Sequence, residues 1–332
     1  MKTEYISFTN EMIPQAGKLL AERHTRNRQA LPLLPARFED PQVAVQAVET
    51  LWQKKLKNGY AAFCKGRMTG YLIGENSTDP WGRSGYVYLP GYAVAEDEDP
   101  AVIQDLYSLL GEDWVKKGCF NHYLYISAVD ADVISALFDI SFGKERVDAL
   151  LDLSSDDIPG VDEPKNFPIR QAGKGDNVLV GNFSDVIFRA LAKAPYWHPT
   201  IPEHWDELYE GWSELADDKE WTVWLALDGP DALGMIGFRP QAEEPTQMLA
   251  APHTIYLSVA ATQPQARGRG ISTDLTRHGL AQARQAGYEI CYTNWISPNL
   301  LASRFWPRFG FKDVAYRLAK KVNPMLAWAK DE

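Results

Sequence analysis

The stretch that decides the fold of this protein is residues 254–275, which read TIYLSVAATQPQARGRGISTDL. Its first part is apolar or β-branched and predicts a buried or half-buried strand. The run from Ile271 to Ala286 contains no proline and is rich in Leu, Ala, Gln and Arg, and Gly287 follows it, which predicts a helix. Between them, Gly268 and Gly270 predict a tight turn from strand to helix.

This glycine turn predicts an anion site. Glycines let the backbone approach a ligand, and the first N–H groups of a helix have no partner within the helix. The helix dipole and the side chains of Arg267 and Arg269 add positive potential, which suits a diphosphate. The dinucleotide motif requires Gly or Ala where Thr273 stands, and the Gly-Lys-Ser/Thr ending of the P-loop is missing. A tight connection without a ligand is the alternative interpretation.

A second motif follows after one predicted strand, residues 288–295. Ser297-Pro298 predicts the start of a helix. That helix carries Asn299, Ala302, Phe305 and Trp306, and it gives way to Gly310-Phe311 and a final predicted strand, residues 314–318.

In this order and spacing, the two motifs resemble those of the GCN5-related N-acetyltransferases (GNAT). The family's acetyl-CoA motif, Q/R-x-x-G-x-G/A, is matched by Gln265, Gly268 and Gly270. Its second motif, N-x-x-A, an aromatic residue and then G-F, is matched by Asn299, Ala302, Phe305-Trp306 and Gly310-Phe311. The resemblance implies an α/β fold: a twisted, mostly antiparallel sheet with a central parallel strand pair, flanked by helices.

An internal repeat indicates two tandem copies of this fold. Three pairs of residues are each 167 positions apart: Asp132 and Asn299, Phe138 and Phe305, and Gly143 and Gly310. A segment rich in proline and acidic residues separates the copies and has the composition of a linker. We therefore predict a GNAT-like domain at 1–155, a linker at 156–166 and an acetyl-CoA-binding domain at 167–332.

The first copy lacks the phosphate-binding turn. Its predicted fourth strand, Gly85 to Val94, is followed by Ala95-Glu96-Asp97-Glu98-Asp99-Pro100, which contains no glycine and four carboxylates. Carboxylates repel a diphosphate. We predict that this copy is degenerate and does not bind the cofactor, although acidic residues before a helix also stabilise the helix dipole without any ligand.

Composition excludes several classes of function. The net charge of −10 argues against a nucleic-acid or acidic-membrane surface, and no apolar run is long enough to span a bilayer. The start of the chain lacks the features of a signal peptide. Three distant cysteines indicate buried free thiols in a cytoplasmic protein and no metal site.

The resemblance also implies which residues bind acetyl-CoA and release CoA. Backbone N–H groups from Arg267 to Ser272 would hold the diphosphate, the edge of the strand would bind the pantetheine amides, and the second motif would pack along the cofactor. The predicted cofactor-binding residues are Val259, Ala260, Ala261, Thr262, Gln265, Arg267, Gly268, Arg269, Gly270, Ile271, Ser272, Asn294, Asn299, Ala302, Phe305 and Trp306. Asn299 could instead only stabilise the start of its helix.

The catalytic groups depart from the pattern that the resemblance implies. Many family members have a general-acid tyrosine where this chain has Trp306, and a glutamate base on a strand where it has only Tyr256 and Ser258, which we predict as catalytic candidates. Tyr292 and Tyr316 are possible proton donors, although strand tyrosines more often pack in a core. The segment 194–206 is dense in aromatic, imidazole and carboxylate groups, and it offers His198 or Glu203 as a base near a cationic amine. A rigid, proline-rich loop without a catalytic role is the alternative.

Three functions remain open from the sequence. The first is direct acetyl transfer, in a ternary complex, to a primary amine of a small molecule or peptide by a monomer or homodimer. The second is a non-catalytic protein that binds or senses acyl-CoA. The third is an aminoacyl-tRNA-dependent transferase, which the intact phosphate turn and the acidic charge disfavour.

Overall fold

A computed structural model describes residues 3–79, 82–155, 166–198 and 202–326. The predicted linker, 156–166, lies outside the described residues except for Asn166. The chain forms two compact units: the first comprises Met1–Asp148, Glu243–Ala251 and Asp313–Glu332, and the second Ala149–Ala242 and Pro252–Lys312. None of the described helices has the length and apolarity needed to cross a membrane.

The strands are β1 Glu4–Ser7, β2 Lys57–Cys64, β3 Arg67–Asp79, β4 Gly82–Val87, β5 Tyr92–Val94, β6 Asn121–Ser127, β7 Gly143–Asp152, β8 Ile169–Gln171, β9 Thr222–Asp228, β10 Asp231–Pro240, β11 Thr254–Thr262, β12 Ile290–Ile296 and β13 Lys312–Lys321. The α-helices are α1 Ile13–Ala30, α2 Pro41–Trp52, α3 Val102–Lys116, α4 Ala131–Asp139, α5 Asn177–Gly181, α6 Ser184–Leu191, α7 Trp205–Glu214, α8 Ile271–Gln285 and α9 Leu300–Phe305.

Both units contain a mixed sheet with one parallel strand pair. The first unit has the strand order β1-β2-β3-β4-β6-β13, with β5 paired to β3, and its parallel pair is β4 and β6. The second has the order β12-β11-β10-β9-β8, and its parallel pair is β11 and β12. Helices pack against both sheets, for example α3 on β3 and α8 on β10. This confirms the predicted fold class of two tandem GNAT-like domains.

The last strand does not join the copy to which the sequence assigns it. β13 pairs antiparallel with β6 of the first unit, from Ala315 opposite Ser127 to Lys321 opposite Asn121. Tyr316 therefore belongs to the first unit, where its hydroxyl donates to Asp313 at 3.0 Å and burial raises its pKa to about 12. Strand pairing uses backbone groups that every residue carries, so residues 314–318 contain no local signal for their partner. The boundaries 1–155 and 167–332 remain a prediction about the repeats in the sequence.

In the first unit the predicted fourth strand is broken. A 3-10 turn at Leu89–Gly91 separates β4 from β5, because Pro90 cannot donate to a strand ladder. The fully buried Tyr92 on β5 then bridges to the end of β6: its hydroxyl accepts from the Ser127 N–H at 2.8 Å and donates to Asp130 at 2.5 Å. A buried side chain thus links β5 to the end of β6, and the prediction that the first copy does not bind cofactor stays a prediction.

Cys119 and Cys291 are buried free thiols, and Cys64 is a half-buried one. Burial raises the pKa of the Cys291 thiol. The Cys291 thiol is therefore protonated at neutral pH.

Candidate functional site

The parallel strands β11 and β12 separate partway along their length. They pair as far as Leu257 opposite Thr293. Beyond that point β11 continues to Thr262 paired with β10, while β12 continues to Ile296 without pairing to β11. Within the described residues, the β12-facing edge of β11 therefore has no strand partner after Leu257. An extended molecule with amide groups can hydrogen-bond to such an edge.

A β-bulge lies where the strands separate. The β10–β11 register places Gly237 opposite Val259 but Phe238 opposite Leu257, so Ser258 is an extra residue in β11. The Thr293 hydroxyl donates to the Leu257 carbonyl at 2.9 Å and stabilises the last parallel pair. The sequence alone does not reveal this bulge, because its residues do not differ from those of a regular strand.

The predicted strand, glycine turn and helix all form at the end of β11. Gly268 and Gly270 have φ angles of 79° and 85°, which L-residues rarely adopt, and Gly270 is the N-cap of α8. The hydroxyls of Thr262 and Ser272 lie 2.7 Å apart and connect the strand to the first turn of the helix. The positive end of the α8 dipole and its first N–H groups are thus placed at the open strand edge.

Two further glycines let α8 lie close to β10. A Cβ atom at Gly279 would be 2.4 Å from the ring of Phe238, and one at Gly234 would be 2.7 Å from Ile271. The helix axis therefore approaches the sheet more closely than larger residues allow. This packing places the N-terminus of α8 beside the separated strands.

A cleft of about 720 Å³ occupies the space between β11, β12, α6, α8 and α9. Most of the predicted cofactor-binding residues line it: Ala260, Ala261, Thr262, Arg267, Gly268, Gly270, Ile271, Ser272, Asn294, Asn299, Ala302, Phe305 and Trp306. The catalytic candidate Ser258 lines it as well. Residues from two separate motifs are therefore brought to one cavity.

Other residues of the cleft are absent from the prediction. Four of them, Val186, Ile187, Ala190 and Leu191, come from one face of α6, and the remainder are Leu257, Ala266, Thr273, Thr293, Trp295, Ile296, Leu300, Leu301, Arg304 and Arg308. The apolar residues of α6 recur at the spacing of one helical face, a signal that the sequence contains. Arg304 and Arg308 are spaced one helical turn apart, but only the folded chain places them at the cleft with Arg267.

Three predicted cofactor residues lie outside the cleft lining: Val259, Gln265 and Arg269. The guanidinium of Arg269 lies 3.5 Å from the carboxylate of Asp228 and 5.1 Å from the ring centroid of Phe167. Its side chain is therefore engaged elsewhere, and only its backbone belongs to the glycine turn. A cofactor contact of Arg269 stays a prediction, and its backbone in the turn is the part nearest the cleft residues Gly268 and Gly270.

Asn299 has the structural role that the sequence left open. It is the N-cap of α9, and its side chain accepts from the N–H of Ala302 at 3.4 Å. Because it also lines the cleft, a cofactor contact is compatible with this role.

The tyrosine candidates lie next to the cleft. Tyr256 and Tyr292 are opposite each other on β11 and β12, with ring centroids 4.9 Å apart. The side-chain amide of Asn294 donates to the Tyr256 hydroxyl at 2.6 Å. Since the Tyr256 oxygen accepts this bond, its own hydrogen is available to a further acceptor. Neither tyrosine lines the cleft itself, and Tyr292 is buried.

The loop candidates are not brought into the cleft. The His198 ring stacks on Tyr196 at 5.3 Å, and Glu203 lies in a 3-10 helix, Pro202–His204. Neither residue lines the cleft, and residues 199–201 between them lie outside the described part of the chain. The described lining contains no carboxylate and no imidazole. A base role for His198 or Glu203 stays a prediction.

Comparisons with known proteins identify a family that part of the chain matches. Residues 187–311 match the model of the acetyltransferase (GNAT) family. A comparison with curated protein sequences found no match.

Several solved structures are similar over nearly the whole chain. A GCN5-related N-acetyltransferase from Sphaerobacter thermophilus is 14% identical with a TM-score of 0.59, covering 97% of this chain and 96% of that one. A tandem GNAT protein from the clavulanic acid biosynthesis pathway is 13% identical with a TM-score of 0.50, covering 97% and 99%. A glucosamine N-acetyltransferase region of a fungal multi-domain β-N-acetylglucosaminidase is 16% identical with a TM-score of 0.55, covering 96% and 38%. Residues 187–311 are therefore a GNAT acetyltransferase domain, and the chain as a whole has the tandem GNAT fold.

Proposed function

We propose that this protein transfers an acetyl group from acetyl-CoA to a primary amine of a small molecule or peptide, directly and within a ternary complex. The observation that supports this most is the separation of β11 from β12 after Leu257 and Thr293, next to the glycine turn at the start of α8. One cleft thereby combines an open strand edge with the N-terminus of a helix.

The chemistry of the lining fits acetyl-CoA. The positive-φ glycine turn leaves room for a ligand, because a Cβ atom at Gly268 or Gly270 would meet no protein atom within 4 Å. Arg267, Arg304 and Arg308 supply positive charge for phosphate groups. The unpaired edge of β11 suits the amides of the pantetheine arm, and the apolar face of α6 suits its carbon chain. When bound, acetyl-CoA supplies an acetyl group activated as a thioester.

The side chains of the site would then position the substrates and would not act as a general acid or base. Ser258, at the bulge, offers a hydroxyl donor at the end of the strand pairing. The Asn294 amide donates to the Tyr256 hydroxyl oxygen, so the hydrogen of that hydroxyl can be donated to another acceptor. Because the described lining has no carboxylate or imidazole, we propose that the acceptor reacts as a free amine whose proton passes to solvent. The rate should accordingly rise with pH until the acceptor amine itself is deprotonated.

A non-catalytic acyl-CoA-binding or sensing protein is the second candidate. The observation in its favour is the same lack of a carboxylate or imidazole in the described lining, together with Trp306 at the position where many family members have a tyrosine. The indole N–H does not release a proton at physiological pH. This candidate predicts binding of acetyl-CoA without turnover.

Two measurements separate these functions. Isothermal titration with acetyl-CoA tests the site, and thiol release across a panel of amines, peptides and aminoglycosides tests the transfer. Intersecting initial-rate plots are expected for direct transfer in a ternary complex. Tight binding with no thiol release above the hydrolysis rate would favour the sensor, and no binding would refute both.

A further inference from the structure

Arg239, near the end of β10, is an exposed arginine held between two aromatic rings. Its guanidinium carbon lies 5.6 Å from the ring centroid of Trp221 and 5.3 Å from that of Tyr256. Arg239 is directly opposite Tyr256 in the strand register, so the contact follows from the sheet itself. The ring of Trp221 packs in turn against Gly237, since a Cβ atom added at Gly237 would be 3.3 Å from that ring.

Within the described residues, the guanidinium of Arg239 forms no hydrogen bond and no ion pair. Two other exposed arginines of the second unit differ in having carboxylate partners: Arg170 contacts Asp176 at 2.7 Å, and Arg189 contacts Asp185. An arginine side chain that is oriented by aromatic rings but keeps its donors unused loses little conformational entropy when it binds a ligand.

The position of Arg239 connects it to the proposed site of transfer. Tyr256 accepts a hydrogen bond from Asn294, which lines the cleft, at 2.6 Å. Ser258, also in the lining, is two residues further along β11, a distance of roughly 6–7 Å at the usual rise of a strand. The guanidinium therefore lies over the ring of Tyr256, the residue that precedes the last parallel pair, Leu257 and Thr293.

We propose that Arg239 binds an anionic group of the acceptor, so that the preferred acceptor is an amine that also carries a carboxylate or a phosphate. The planar fork of donors on a guanidinium matches both anions in a bidentate arrangement. The anion would lie over Arg239 while the amine reaches the open ends of β11 and β12. This inference rests on the proposed acetyl transfer and specifies its substrate class.

The test compares acceptors that differ only in the anion. Thiol release is measured for γ-aminobutyrate, δ-aminovalerate and ε-aminocaproate against their neutral amides, and for aminoalkyl phosphates against the amino alcohols. The carboxylate and phosphate series identify which anion is preferred. The wild type is compared with Arg239→Gln, Arg239→Lys and the control Arg170→Gln, which removes an equal charge elsewhere in the same unit.

We expect the wild type and Arg170→Gln to prefer one anionic series over its neutral analogues. In Arg239→Gln the ratio of kcat/KM for anionic over neutral acceptors should fall roughly 10- to 100-fold, through KM. Arg239→Lys should restore only part of it, because lysine keeps the charge but not the fork. Equal use of both acceptor types by the wild type, or an unchanged ratio in Arg239→Gln, would overturn the inference.

A binding measurement keeps the two proposals distinguishable. The acceptors are titrated calorimetrically into protein saturated with CoA, where no transfer occurs. If no amine releases thiol, the proposed acetyl transfer fails, and the Arg239 inference is decided by this titration. Tighter binding of the anionic amines that is lost in Arg239→Gln supports it, and equal binding refutes it.

Discussion

Replacing Gly268 by valine tests whether the turn before α8 holds a diphosphate. At a φ of 79°, a non-glycine residue costs about 1–2 kcal/mol, and more for a β-branched side chain. A Cβ atom at this position would meet no protein atom within 4 Å, so the side chain starts in open space. It occupies the space in front of the backbone N–H groups instead.

The expected loss of affinity follows from the hydrogen bonds involved. A hydrogen bond to a charged group contributes about 1.5–3 kcal/mol, so the loss of two bonds to a phosphate weakens binding by at least about 3 kcal/mol, or roughly 100-fold in Kd. Isothermal titration with acetyl-CoA measures this change directly, and thermal unfolding in the absence of ligand measures the strain separately.

Gly287→Val is the matched control. Gly287 follows the other end of the same helix, has a φ of 89°, and also offers a Cβ no contact within 4 Å. Both variants should lower the unfolding temperature by a similar amount, but only Gly268→Val should lose affinity. A Kd for Gly268→Val within about threefold of the control would refute a diphosphate site in this turn.

Three other predictions address charge, the first unit and pH. Arg267→Glu should weaken acetyl-CoA binding, and the effect should shrink as ionic strength rises because salt screens exposed charges; Arg170→Glu, remote from the cleft, should have little effect in the same titrations, and equal losses would contradict the site. Tyr92→Phe should lower the free energy of unfolding by about 1–3 kcal/mol in urea, because a buried N–H loses its acceptor, without creating a second CoA site; a change below about 0.5 kcal/mol would show that the bridge is unimportant. Burial lowers the pKa of His24 and of His122 from 6.5 to about 4. The unfolded chain then binds more protons than the folded one between these pKa values. The contribution of the two histidines to the free energy of unfolding should therefore be fully present above pH 6.5 and be lost towards pH 4, by about 3 kcal/mol per histidine. A urea midpoint that is equal at about pH 7.5 and about pH 5 would contradict this.

The tyrosines show what the sequence alone does not distinguish. Tyr256, Tyr292 and Tyr316 all occur in strand-like segments, and nothing local distinguishes them. The fold places Tyr256 beside Asn294 and Arg239, buries Tyr292 behind it, and assigns Tyr316 to the other unit. These differences depend on strand register and pairing, which involve residues far apart in the chain.

The sequence alone determined the strand, glycine turn and helix of residues 254–286, because a positive-φ turn and a helix start are local properties of Gly268, Gly270 and their neighbours. It also determined the repeat and the second motif. Only the tertiary structure decided that β11 and β12 separate after Leu257, that α6 lines the cleft, and that β13 pairs with β6. These features depend on long-range backbone pairing and packing, for which nearly any apolar strand or helix is locally suitable.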